Sequence, residues 1–206
     1  MGALTDVAKI LFGPFGDYTS LNSGQYGGLG RGYSNSNPTN GGFRCTHHPL
    51  PTCPTGYVEI APMSPYTTSR FCVAQYEAKQ SGSKGVSLTA VTPWVYITRD
   101  SAQTACAANE AGYCLITNAE WQTVARTIEA IPSNWSGSSV GSGAINRGNS
   151  NSDQACAVTG SNDYGINGPG GCTSTLDFTR KLTRTLPNGT IYDLAGNITE
   201  WVNDDN

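Results

Sequence analysis

The clearest pattern of hydrophobic and polar positions in the chain predicts an amphipathic helix near residue 120. Four apolar side chains recur at the i, i+3, i+4, i+7 spacing of a single helix face: Trp121, Val124, Ala125 and Ile128. The preceding Thr-Asn-Ala-Glu, residues 117–120, has the form of a capping box, which satisfies free backbone N–H groups at a helix start. The helix is predicted to end before Pro132 and to bury its apolar stripe in the core.

A shorter helix is predicted just before it. Asp100 or Ser101 is a suitable N-cap residue. The helix is expected to continue to about Ala111 and to end at Gly112, because glycine favours the left-handed conformation that follows many helices.

Alternating apolar and polar residues predict strands at 56–61 and 70–79. In the second strand, the face that carries Cys72 and Ala74 is expected to be the core face, and the face with Phe71 and Val73 the other. The polar segment 80–92 that follows is predicted to be a loop.

Near the C-terminus, Asn188-Gly189 predicts a two-residue hairpin turn with positive φ at both positions. A β-rich run follows it at 190–192, and a second alternating run at 198–202 carries Glu200 and Trp201.

Two long segments show no apolar period. Residues 13–42 consist mainly of Gly, Ser, Asn and Tyr, and we interpret 1–44 as an N-terminal arm that is either a flexible linker or a contact to a neighbouring copy. Residues 133–180 are rich in Gly, Ser, Asn and Asp, and so long an irregular stretch needs a disulfide or a bound calcium ion to fix it. The pattern predicts one α+β domain over 45–206.

Composition restricts the possible partners. Only 13 % of residues are charged and the formal net charge is −3, so the sequence offers no electrostatic basis for binding nucleic acid or an anionic membrane. No run of 18 apolar residues occurs, and we therefore expect no membrane span.

The seven cysteines favour disulfides, and hence an oxidising compartment or an exposed particle. A zinc site is disfavoured because no Cys-x-x-Cys pair occurs and the two histidines are adjacent. Three bridges are candidates: Cys53 with Cys72, Cys106 with Cys114, and Cys156 with Cys172. The odd number leaves one thiol free or paired between chains.

Familiar catalytic motifs are absent: the sequence has no nucleophile elbow, P-loop, zinc-protease helix or dinucleotide fingerprint. His47 and His48 lie together in a Pro-rich stretch, and neither is expected to serve a distant Ser or Cys nucleophile. Calcium is the most plausible metal, because carboxylate, amide and backbone oxygens cluster at 196–200 and at 146–153 with 161–164.

Three motifs resemble the formylglycine-generating-enzyme (sulfatase-modifying factor) family in order and spacing. Residues 71–79 (FCVAQYEAK) are similar to a family strand, 112–121 (GYCLITNAEW) to its "RLPTEAEWE" helix start, and 193–201 (DLAGNITEW) to its "GNVWEW" motif. The resemblance covers about residues 53–206 and implies a C-type-lectin-like fold with two helices, a small mixed sheet and long irregular loops.

The resemblance also implies calcium ligands. Family members hold calcium partly through backbone carbonyls and the Glu of the last motif, which here points to Gly196, Asn197, Ile198 and Glu200. A second site would draw on Asn146 and Asp163. The enzymes use copper and two cysteines beyond this motif. No counterpart of those cysteines follows Trp201, and Thr199 replaces the first Trp of the motif, so catalysis and copper are not carried over.

Residues 112–148 are closer in style to the family's non-enzymatic members, among them variable proteins of diversity-generating retroelements and phage receptor-binding proteins. We therefore expect a surface protein, outside the cell or on a virus particle, that binds a protein or glycan ligand. Two alternatives stay open: a copper-dependent oxidase whose catalytic part is absent here, and a structural subunit that contacts neighbouring copies through residues 13–42.

Overall fold

The computed structural model describes residues 41–48, 52–89, 91–135, 137–143, 183–194 and 198–203, with backbone alone at 183–185 and 199. In chain order the elements are β1 (Gly41–Phe43), β2 (Cys45–His47), β3 (Tyr57–Ile60), β4 (Phe71–Ala74), β5 (Ala78–Ser81), β6 (Lys84–Ser87), α1 (Arg99–Ala107), β7 (Tyr113–Leu115), α2 (Asn118–Glu129), a 3-10 turn (Pro132–Asn134), β8 (Thr183–Leu186), β9 (Gly189–Tyr192) and β10 (Thr199–Trp201). Two helices and several small sheets confirm the α+β class.

The largest described sheet has four antiparallel strands in the order β3-β4-β2-β7. Because side chains alternate across a strand, its two faces carry different side chains and each face builds its own core. One core includes Val58, Val73 and Trp121 of α2. The other includes Cys45, Leu115 and the buried side of α1. The sheet is therefore covered by a helix on each face.

Helix α2 confirms the pattern that predicted it. Thr117 Oγ accepts from Glu120 N at 3.2 Å, and the Glu120 carboxylate accepts from Thr117 N at 2.8 Å, so both halves of the capping box form. The four residues of the apolar stripe are all buried. The apolar spacing and the capping box are both local signals, and both predict the same helix.

Helix α1 exists but differs from its prediction at both ends. Its N-cap is Thr98, whose hydroxyl accepts from Ser101 N at 3.2 Å, not Asp100 or Ser101. The helix ends at Ala107, before the expected Ala111. Gly112 has positive φ, +92°, but it lies at the entry to β7.

The predicted strand over 70–79 is two strands. The chain leaves the extended pairing after Ala74, and β5 pairs with β6 in a hairpin that occupies part of the predicted loop. Both faces of β4 are buried, and Phe71 and Val73 lie in the larger core, so the assignment of a single core face to Cys72 and Ala74 was wrong.

The C-terminal hairpin forms, with a different turn. Leu186 pairs with Gly189, so the two connecting residues are Pro187 and Asn188. Asn188 does not have the predicted positive φ.

The two ends of the described fold meet in a parallel pair, β1 with β10, in which Phe43 lies opposite Trp201. Phe43 and Arg44 are completely buried. The folded region therefore begins no later than Gly41, whereas the sequence placed 41–44 in the arm. Residues 1–40 lie outside the described part of the chain.

Candidate functional site

The motif that carries the resemblance ends in β10, at the centre of a set of buried charges. Ile198, Glu200 and Trp201 are all buried, and the indole N–H of Trp201 donates to the Ile97 carbonyl at 2.7 Å. Gly196, Asn197, Asn146 and Asp163 lie outside the described residues, so only two of the six predicted calcium ligands have a described position.

Glu200 is bound by an arginine. The Arg44 guanidinium donates from Nε to Glu200 Oε1 at 3.0 Å, and its Nη2 lies 2.9 Å from the same oxygen. The remaining donors of Arg44 reach the backbone carbonyls of Ala74 and Tyr192, each at 2.9 Å. Arg44 therefore joins the ends of β4 and β9 to β10, and its charge is neutralised inside the fold.

Three further ionisable side chains interact with this pair, and we name the set of five the ionic core. Its members are all buried: Arg44, Glu77, Lys79, Asp193 and Glu200. Three carboxyl groups face two cations, so the set is balanced when one carboxyl holds a proton.

Two of the three carboxyl groups, Glu77 and Glu200, have a raised pKa. Burial, followed by the charge of Asp193, raises the pKa of Glu77 well above its usual range. Burial also raises the pKa of Glu200, but Arg44 opposes that shift. The pKa of Lys79 is lowered by burial. Glu77 therefore favours its protonated form in the folded chain.

The ionic core has a structural role among the described residues. Glu200 Oε1 is taken by a guanidinium, so a calcium ion at that oxygen would have to compete with Arg44. In the described ranges no group of three His, Cys, Asp or Glu side chains is arranged to hold a metal ion. Calcium thus stays a prediction of the resemblance.

The cysteines confirm one predicted bridge and correct another. Cys53 pairs with Cys72, as expected. Cys106 pairs with Cys45 of β2 instead of Cys114, because α1 packs on the sheet face that carries Cys45. Cys114 is a free, partly exposed thiol. Cys156 and Cys172 lie outside the described residues.

His48 contacts two side chains from distant parts of the chain. His48 Nε2 forms an ion pair with Glu120 Oε1 at 2.5 Å, and the same imidazole hydrogen-bonds Cys114. The imidazole of His48 therefore lies beside a cysteine from elsewhere in the chain. In the sequence, the Thr-x-x-Glu capping box identified Glu120 as a capping residue. It gave no indication that the second carboxylate oxygen of Glu120 would bind His48.

Comparison with known proteins adds no relative: no family model, curated protein or solved structure matches this chain. None of the helices in the described ranges has the length and apolar character needed to cross a membrane.

Proposed function

We propose that this chain is a C-type-lectin-like binding module of the formylglycine-generating subclass. It acts outside the cell or on a virus particle, in ligand binding or assembly, and has no catalytic activity of the formylglycine type. The disulfides Cys45–Cys106 and Cys53–Cys72 support an oxidising location.

The proposal rests on the structural role of the two motif residues in β10, Glu200 and Trp201. Glu200 binds Arg44 near the start of the described fold, and the Trp201 indole donates to the Ile97 carbonyl, so both side chains hold β10 in the fold. Four cysteines of the described ranges are in disulfides and Cys114 is the one free thiol there, whereas the copper oxidases need a pair of thiols.

A second observation favours binding. Three of the large exposed apolar side chains come from the connection between β6 and α1: Leu88, Val91 and Tyr96. Tyr96 has φ of +59° and is 64 % exposed. An aromatic residue in this conformation is strained, and such strain is concentrated at binding and active sites. Loops on a rigid scaffold are where binding residues commonly lie.

Sedimentation velocity on the full chain tests the class of function. A folded monomer over a wide concentration range is the expected result, because a binding module needs no neighbouring copy. Concentration-dependent assembly would favour the structural subunit. Titration with Cu(I) against a competing chelator tests the oxidase, and a tight site formed by two thiols would overturn the proposal.

A glycan array probed with the labelled full chain tests the class of ligand. If the β6–α1 connection is the binding surface, Tyr96→Ser abolishes any selective binding. Val140→Ser is the matched control, because Val140 is also exposed, 56 %, but lies elsewhere in the chain. Selective binding that survives Tyr96→Ser would place the surface somewhere else.

A further inference from the structure

Cys114 lies in a second cluster of polar side chains, separate from the ionic core. Cys114 in β7 is the register partner of Thr46 in β2, so the two side chains lie on the same face of the sheet. Thr46 Oγ is 3.2 Å from Cys114 Sγ. We call Cys114, Thr46, His48 and Glu120 the thiol site.

The backbone brings His48 to the thiol. His48 N donates to the Gly112 carbonyl at 2.9 Å, which keeps the chain after β2 beside the start of β7. A Cβ on residue 112 would collide with the His48 carbonyl oxygen, and φ there is +92°, so this approach requires glycine. The local fold thus places an imidazole next to a free cysteine.

Glu120 positions the imidazole. Its Oε1 binds His48 Nε2, while its Oε2 accepts from Thr117 N at 2.8 Å and Thr117 Oγ at 2.9 Å. The carboxylate is fixed by the helix cap and its side chain is 5 % exposed. Thr46 Oγ donates to the same Oε2 at 3.5 Å and lies 3.2 Å from Cys114 Sγ, so its hydroxyl connects the carboxylate to the sulfur.

His48 places a positive charge beside the thiol. Hydrogen bonding to Cys114, then to Glu120, raises the pKa of His48 to about 10, so the imidazole is a cation at neutral pH. A thiolate beside an imidazolium is the arrangement that makes cysteines nucleophilic in proteins. The thiol is partly exposed and the His48 side chain is 39 % exposed, so a small reagent has access.

We propose that Cys114 is a nucleophilic thiol that exchanges with disulfides, with His48 as its cationic partner and proton donor and Glu120 as the residue that positions His48. The Cys114 thiolate attacks one sulfur of a disulfide, a new sulfur–sulfur bond forms, and the original one breaks. The departing thiolate takes a proton from His48. Cys114 is thereby oxidised to a mixed disulfide and the departing thiol is reduced.

The substrate class follows from the surroundings. A protein with two disulfides matures where disulfides are the abundant electrophiles. Exchange needs only a nucleophile and a proton source, and both are present. The product would be a covalent attachment of this chain, through Cys114, to a thiol-bearing molecule.

Oxidised glutathione is the probe, and mass spectrometry of the intact full chain is the readout. At pH 6 we expect the folded chain to gain one glutathionyl group at least tenfold faster than the same chain in urea, because only the folded chain holds His48 beside the sulfur. His48→Gln should slow the folded chain at least tenfold at pH 6 and less at pH 9. Cys114→Ser should abolish the addition.

The pH profile separates positioning from folding. The titratable groups that face the sulfur are His48, Glu120 and, from β3, Tyr57, whose pKa is raised by burial so that it stays neutral. Glu120→Gln should make the rate rise more steeply between pH 6 and pH 8 than in the wild type. Thr98→Ala is the matched control, because it weakens the start of α1 and leaves His48, Glu120 and the cap of α2 unchanged, so the steepness should not change.

Several results would overturn the proposal. Peptide mapping that finds Cys114 in a bridge to Cys156 or Cys172 would do so. So would a folded chain that reacts no faster than the unfolded one at pH 6, or a His48→Gln variant with an unchanged unfolding midpoint and an unchanged rate.

Discussion

The guanidinium of Arg44 makes long-range hydrogen bonds, and its partners explain why the position must be a cation. Its guanidinium binds the carboxylate of Glu200 and two backbone carbonyls, and both Arg44 and Glu200 are buried. A buried carboxylate that loses its partner keeps the full cost of its desolvation.

Arg44→Met should therefore lower the free energy of unfolding by about 3–5 kcal/mol, measured by urea denaturation. Arg70→Met is the matched control, because Arg70 pairs with Glu59 at the surface and such pairs contribute about 0–1 kcal/mol. The double variant Arg44→Met with Glu200→Leu should regain part of the loss, since it removes both charges. An Arg44→Met loss no larger than that of Arg70→Met would contradict this role.

Glu77 should make stability depend on pH. Because its pKa is raised from 4.5 in the folded state, the folded chain keeps a proton that the unfolded chain releases. The stability from this proton is fully present below about pH 4.5 and is lost as the pH rises towards the raised pKa. In urea titrations, Glu77→Gln should gain stability relative to the wild type between about pH 5 and pH 8. A constant difference between the two proteins would show that Glu77 is ionised in both states.

At the scale of elements, the two helices have different starts. Thr117 forms a complete capping box with Glu120, whereas Thr98 makes a single cap bond to Ser101 N. The C-terminal ends of the two helices are similar, because each helix has an alanine at its C-cap position, Ala108 in α1 and Ala130 in α2.

Thr117→Ala should cost about 1–2 kcal/mol of stability and Thr98→Ala about 0.5–1 kcal/mol, because an N-cap bond contributes in this range and Thr117 forms the larger set. Thermal and urea unfolding of both variants measure the difference. Equal losses would indicate that the additional bond from Thr117 Oγ to Glu120 Oε2 adds nothing to α2.

At the scale of the whole molecule, the two described disulfides restrict the unfolded chain to different extents. Cys45–Cys106 spans 61 residues and Cys53–Cys72 spans 19. By loop entropy the longer bridge contributes about 4 kcal/mol and the shorter about 3 kcal/mol. Replacing both cysteines of a pair by alanine should therefore destabilise more for the longer loop. The reverse order would mean that the shorter bridge acts mainly on the native state.

Calcium is also tested on the whole chain. A ligand bound only by the folded state at about 100 times its Kd adds about 2.7 kcal/mol, so EGTA should lower the melting midpoint by several degrees and added calcium should restore it. Magnesium is the control, because it prefers octahedral sites and retains its water. A melting midpoint that does not change with EGTA would contradict the prediction that the protein binds calcium.

The sequence by itself determined the features that depend on neighbours within a few residues. The capping box and stripe of α2, strand β3 and the Cys53–Cys72 bridge all follow from short spacings. Signals of this kind failed where a contact came from elsewhere. The strand predicted over 70–79 is divided because its second half pairs with β6 instead of β3.

Only the tertiary structure decided which charged and sulfur-bearing side chains meet. Arg44 and Glu200 are 156 positions apart, and Cys45 reaches Cys106 across 61. His48 joins Cys114 and Glu120 because β2 and β7 pair in one register and α2 starts just after β7. Register and helix placement are set by how the two cores pack on the four-stranded sheet, and that packing depends on the whole chain, so no local spacing encodes it.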